Sequence, residues 1–163
     1  MISDTIKNIK KFMNSLLASN YFDSFLVNSV SITTYGTFQI DGHLKKDFYT
    51  SEEWDAMQEH TYTSYETIRP ICYDLIKGKK LPLNFKMIFS LNKEERNKLL
   101  ESTETTLTAE DIKDLFLNIK YDAGTVTYTT GTSYKIFTMD KSLDQAFDKY
   151  IQTKLEPFYT TTV

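Results

Sequence analysis

A chain of 163 residues with 40% hydrophobic and 25% charged side chains has globular composition, and folding at this length buries roughly 70% of the surface the unfolded form exposes. Its net charge of −3 and pI near 5.4 argue against a strongly electrostatic nucleic-acid binder, and its single cysteine excludes an intramolecular disulfide or a cysteine-rich zinc site. Three prolines and five glycines leave no room for a long disordered linker, so residues 1–163 read as one domain.

In chain order, Ile6, Ile9, Met13, Leu16 and Leu17 form the apolar stripe of an amphipathic first helix, broken by Asn20 and Asp23. The period then changes to two. Val30, Ile32 and Thr34, followed by Phe38 and Ile40, predict two strands joined around Tyr35-Gly36, the glycine supplying a positive φ for a tight hairpin or a bulge in one longer strand. Asp41-Gly42 is a second turn signal, opening another arm through His43 to Phe48. Thr50 and Glu53 have the spacing of a capping box, with Trp54 and Met57 as the apolar face of a short helix.

The stretch from Tyr65 to Leu91 is the expected centre of the fold. Tyr65, Ile68, Ile71, Cys72, Leu75 and Ile76 fall at helical spacing, and Leu83, Phe85, Met87, Phe89 and Leu91 alternate as a half-buried strand does. Pro70 either kinks that helix or stands in the first turn of one beginning near Arg69, the reading favoured. Gly78 is placed to end it in a left-handed conformation.

Asn92 and Glu95 again have capping spacing and lead into a charged helix, after which Ser102 to Thr108 reads as loop. Leu115 to Tyr121 and Thr125 to Thr129, joined by Asp122-Ala123-Gly124, make the clearest hairpin, and Thr130-Gly131-Thr132 bends the sheet before a strand over 134–137. Ser142 and Gln145 cap a closing helix with Leu143, Ala146, Phe147, Tyr150, Ile151 and Leu155 on its stripe. The expected fold is α+β: a single domain with a mainly antiparallel sheet built from hairpins and helices packed mostly on one face.

Eleven Tyr, eleven Phe and one Trp are expected chiefly in packing, and Cys72 as a buried thiol. The N-terminus lacks the apolar run of a signal peptide, and no stretch approaches the ~18 apolar residues of a membrane span. A cytoplasmic protein with no membrane association is expected.

The chain has no P-loop, dinucleotide-binding or elbow-serine motif, and its two histidines, His43 and His60, have no paired-ligand spacing. No catalytic residue, cofactor or metal is therefore assigned. Asp41, His43 and Asp47 can orient a proton or hold an ion, against the alternative of a turn aspartate beside exposed strand residues. Arg69, one of two arginines, lies in an apolar helical segment, where an ion pair with Glu66, Asp74 or a distant acid competes with contact to an anionic ligand. Lys77, Lys79 and Lys80 can join it in holding phosphate or form a solvated helix end. Thr130 and Thr132 belong to a hydroxyl-rich segment that can serve as an anion-binding turn. Tyr121, Tyr128 and Tyr134, near Lys86, Lys120 and Lys135, can stack bases only where they face solvent, and alternation turns Tyr121 inward.

Several stretches together resemble an uncharacterised family of small bacterial proteins, a domain of unknown function known mainly from anaerobic Gram-positive bacteria. They are Lys11-Phe12-Met13 with Leu16-Leu17, Ile32-Thr33-Thr34 through Thr37-Phe38 to Ile40-Asp41-Gly42, Arg69-Pro70, Leu75-Ile76-Lys77-Gly78-Lys79, and Thr130-Gly131-Thr132-Ser133 through Phe137 to Leu143. The resemblance implies a stand-alone bacterial cytoplasmic protein and supplies no activity, substrate or catalytic residue. The function expected is a non-catalytic binding or interaction module with a protein partner. The alternatives are a nucleic-acid-binding module on the Lys/Arg patch and sheet tyrosines, and a small-molecule or metal-dependent enzyme around Asp41 and His43.

Overall fold

Seven antiparallel strands and five α-helices make up the computed structural model, which describes residues 1–57 and 61–159. The strands are β1 (Ser3–Thr5), β2 (Leu26–Thr33), β3 (Thr37–Asp41), β4 (Thr63–Ser64), β5 (Asn84–Ser90), β6 (Ile112–Asp122) and β7 (Thr125–Tyr134). Their order across the sheet is β1-β7-β6-β5-β2-β3, with β4 pairing onto β2. The helices are α1 (Ile9–Ala18), α2 (Ser51–Ala56), α3 (Tyr65–Ile76), α4 (Lys93–Glu101) and α5 (Ser142–Leu155). The expected α+β fold with a hairpin-built antiparallel sheet is the one observed.

One face of the sheet carries the core. Val30 and Ile32 of β2, Phe85, Met87 and Phe89 of β5, Leu117, Ile119 and Tyr121 of β6, and Val126 and Tyr128 of β7 are buried with residues of α1, α3 and α5 in a single cluster. Successive strand residues point to opposite faces, so Ser29, Ser31, Lys86, Asn118, Lys120, Thr127 and Thr129 form the other, polar face. At the centre of the core, Phe22 meets Phe12 edge-on at 5.6 Å, and Phe89 lies 5.5 Å from Phe25 and 4.8 Å from Tyr65. The Tyr65 hydroxyl donates to the Leu16 carbonyl at 2.7 Å, so a buried ring keeps its polar end satisfied while tying α3 to α1.

Local signals produced the expected ends in several places. The Thr50–Glu53 capping box forms, and Asn92 accepts from the Glu95 amide at 2.8 Å. In the β6–β7 turn, Ala123 and Gly124 take φ of 50° and 84°, the paired positive values of a type I′ hairpin.

Other expectations are corrected. Regular helix begins at Tyr65, not near Arg69: Ser64 caps it by accepting from the Thr67 amide, and Pro70 is accommodated inside α3. Neither Gly36 nor Gly78 has a positive φ; α3 ends through an extended Lys77. Leu83 and Ile71 are exposed rather than core, while Phe12 joins it. β7 runs unbroken through Gly131 to Tyr134, and residues 135–137 form no separate strand after it. Ser142 is the first residue of α5 rather than its cap, its amide held at 2.9 Å by Asp140. Hydrogen bonds from Thr105 and Ser142 hold that carboxyl down to about 2.

The segment after Gly42 does not extend a hairpin arm. His43 bridges Tyr62, the Leu44 amide donates to the Thr61 carbonyl at 3.0 Å, and Lys46–Phe48 form a single 3-10 turn. Among the described residues, no helix is long and apolar enough to cross a membrane.

Candidate functional site

The residues singled out in the sequence lie at separate places. Arg69 is spent on a two-pronged pair with Asp23, its Nε and Nη2 donating to the two carboxylate oxygens at 2.9 and 3.0 Å, so the distant acid is its partner. Hydrogen bonding to Asp23 raises the guanidinium pKa further. Asp23→Ala strands a partly buried guanidinium, and a loss of about 2 kcal/mol is expected in chemical denaturation. Asp23→Asn, which retains one acceptor, should lose less.

Thr130 and Thr132 do not form a turn. They stand on the helix-facing side of β7, where Thr130 Oγ1 donates to Asp148 at 2.5 Å and Thr132 Oγ1 to Asp144 at 2.8 Å. The Tyr134 hydroxyl joins Thr132 on Asp144. Strand spacing i, i+2, i+4 thus meets helix spacing i, i+4, and the hydroxyls fasten α5 to the sheet.

Asp41 and His43 do come together, at the surface. Asp41 Oδ1 accepts from the His43 amide at 3.0 Å and lies 2.6 Å from its Nδ1, while Oδ2 accepts from Lys45 at 2.9 Å. Lys45 first, and His43 after it, hold the Asp41 carboxyl well below the usual carboxylate range. Asp47 lies in the 3-10 turn beyond, and His60 is outside the described residues. Lys77 folds back on Tyr73, its ammonium 4.8 Å above the ring and bonded to the hydroxyl, whereas Lys79 and Lys80 extend into solvent.

Tyr121 and Tyr128 are buried, the former stacked on Phe85 at 5.2 Å, so neither offers a face to a base. Cys72 is fully buried, and burial pushes its thiol up to about 12.

A different set of residues makes the most built polar site. On the sheet face opposite the helices, where α4 leaves β5, the nearly inaccessible Asp114 carboxylate accepts from Ser90 Oγ at 2.6 Å and from the Tyr62 hydroxyl at 2.9 Å. The three residues come from β6, the end of β5 and the segment bridged to His43. A break in the β6–β7 register between Ile112 and Asp114 sets Asp114 beside Ser90. The His43 ring meets the edge or face of Tyr62 at 4.9 Å, nearly perpendicular, so the Asp41–His43 pair buttresses the tyrosine from outside. Burial, and then the Asp114 carboxylate, raise the Tyr62 pKa, so its proton remains available for donation at neutral pH.

These residues line a cleft of about 310 Å³ together with Lys93, Arg96, Lys113 and Lys135. Arg96 Nη1 donates to the Lys113 carbonyl at 3.1 Å, but its Nε is buried with no acceptor among the described residues. Four cations thus surround one carboxylate whose oxygens already receive two hydroxyls. The arrangement favours a bound anion, and no histidine among the described residues lines it to activate Ser90 as a nucleophile. Among the described residues there is also no group of three or more His, Cys, Asp or Glu able to hold a metal ion.

Sequence reasoning missed this cleft. Alternation assigns Ser90 to the solvent side of its strand, Asp114 falls just outside the strand expected over Leu115 to Tyr121, and Tyr62 reaches them from far along the chain. Arg96, the second of only two arginines, is a sequence signal that could have drawn notice to the cleft. A sequence model described as a family of unknown function (DUF5721) matches residues 15–158. No curated protein and no solved structure matches the chain.

Proposed function

The chain belongs to this family of unknown function, and from that premise we propose that it is a non-catalytic binding module that takes a small anion, or the anionic group of a larger partner, in the Asp114 cleft. The observation that carries this reading is Arg96 Nε, a charged donor withdrawn from solvent with no acceptor among the described residues, in a cleft bordered by Lys93, Lys113 and Lys135. Leaving such a donor unpaired is costly, and an oxyanion supplies the missing acceptor. A bacterial cytoplasmic setting is part of the proposal and rests on the sequence resemblance. The nucleic-acid alternative loses much of its stacking surface with Tyr121 and Tyr128 buried, and the Asp41–His43 alternative has no third metal ligand beside it among the described residues.

Calorimetric titration with inorganic phosphate and with citrate tests the proposal. At least one should bind, more weakly as salt rises, with affinity about tenfold lower in Arg96→Gln. Lys135→Glu, at an exposed position where folding is not at stake, should weaken it as well. Absence of heat and of any melting shift with both anions at low salt would remove the reading, as would affinities unaltered in both variants.

A further inference from the structure

At the far end of the sheet from the cleft, the β2–β3 turn and the α3–β5 connection lie side by side, joined by the Leu83 amide donating to the Thr33 carbonyl at 2.9 Å. Three large apolar side chains stand in solvent there: Tyr35 is 95% exposed, Leu81 82% and Leu83 64%. With Leu75 they border a groove of about 610 Å³ that is also lined by Lys77, Lys79, Lys80 and one acid, Asp74. Single exposed apolar residues are ordinary, but a contiguous set rimmed by polar and charged residues marks a contact surface. The local excess is positive although the whole chain carries −3.

From this juxtaposition we propose that the Tyr35–Leu81–Leu83 end docks on an anionic lipid bilayer surface. Charge complementarity favours an anionic partner, and the shape separates a bilayer from an acidic helix. Tyr35 and Leu81 project from their turns into solvent, the Tyr35 ring meeting Phe38 edge-on at 5.6 Å, as side chains that enter a headgroup region do, whereas a partner helix packs along continuous apolar walls. On a bilayer, lysine stems can lie along such an apolar surface while their ammonium groups stay at headgroup level. Lys79 and Lys80 are exposed and have no ion pair among the described residues, so both are free to face lipid phosphates. The inference departs from the expectation that no membrane is involved, which rested on spans and signal peptides alone.

Sedimentation of the full chain with vesicles tests it. The protein should pellet with vesicles of equal parts phosphatidylglycerol and phosphatidylcholine at low salt and stay in the supernatant with pure phosphatidylcholine. Lys79→Gln and Lys80→Gln should each lower partitioning about fivefold. Tyr35→Asp with Leu81→Asp should abolish it without changing the melting temperature, since both side chains are already in water. Lys135→Glu, at the cleft, should leave vesicle binding intact, which keeps this result separate from that of the anion titrations. The proposal is overturned by a protein that stays in solution with the anionic vesicles, or by binding that survives the Tyr35/Leu81 double substitution. Loss on Phe137→Asp instead would move the contact to the exposed loop around Phe137 and Met139, and retention of an acidic, leucine-bearing peptide in place of vesicles would assign the face to a protein; either result also overturns it.

Discussion

Gly42→Ala is expected to destabilise the protein by about 3 kcal/mol in urea denaturation, the upper part of the range for overpacking. A Cβ at this position would stand 1.7 Å from the Val27 carbonyl oxygen and 2.6 Å from its carbon, with the Asn28 oxygen 3.2 Å away. All three atoms belong to the backbone of β2, which is paired with β3, β4 and β5, so no side-chain rotation relieves the contact. Gly42 itself is pinned, its amide donating to the Asn28 carbonyl at 2.9 Å and its carbonyl accepting from the Thr63 amide at 2.7 Å. Gly131→Ala is the control: nothing lies within 4 Å of its added Cβ, and a change of about 0.5 kcal/mol or less is expected. A small effect at Gly42 would show that the β2 irregularity between Val27 and Ser29 yields freely, and that the absence of a side chain there is not what the fold requires.

Asp114→Ala is expected to cost about 3 kcal/mol, because it removes one carboxylate and leaves two buried hydroxyls, on Ser90 and Tyr62, without their acceptor. The asymmetry of buried polar groups supplies a sharper test than the single substitution. In the triple change Asp114→Leu, Ser90→Ala and Tyr62→Phe, every member of the network becomes apolar together, and most of the lost stability should return. If the triple variant is as unstable as Asp114→Ala, the loss comes from packing around the β6 bulge and not from unsatisfied hydroxyls. Equilibrium denaturation of the three single variants and the triple variant separates the two accounts.

What could be read from the sequence follows from the range of the interactions. Thr50 with Glu53, Asn92 with Glu95, and Ala123-Gly124 act within a few residues, and each formed as its spacing indicates. The alternation of Phe85, Met87 and Phe89 likewise names its buried face, because one side of that strand meets the helices. The errors come from longer-range competition. Ser64 captures the start of α3 ahead of Pro70, and the Asp144 and Asp148 carboxylates hold Thr130 and Thr132 in a straight strand where hydroxyl and glycine content suggested a bend. The Asp114 cleft was the least legible feature. Ser90 looks like a solvent-facing strand residue and Asp114 like one just outside its strand until Tyr62 closes over them, and no local pattern relates a tyrosine to an acid in a strand so far along the chain.

The placement of β2 sets a waiting time on the ribosome. Its hydrophobic residues Val27, Val30 and Ile32 emerge early and can pair at once with β3, but their other neighbour, β5, ends only at Ser90. β3 is complete at Asp41, so at ordinary elongation speeds of about 5–20 residues per second this nascent hairpin stays half-covered for roughly 2.5–10 s. During that interval its bare edge invites association with other chains, so yield in cells should respond to translation speed across residues 42–90 and to chaperone supply more than the stability of the finished protein would suggest.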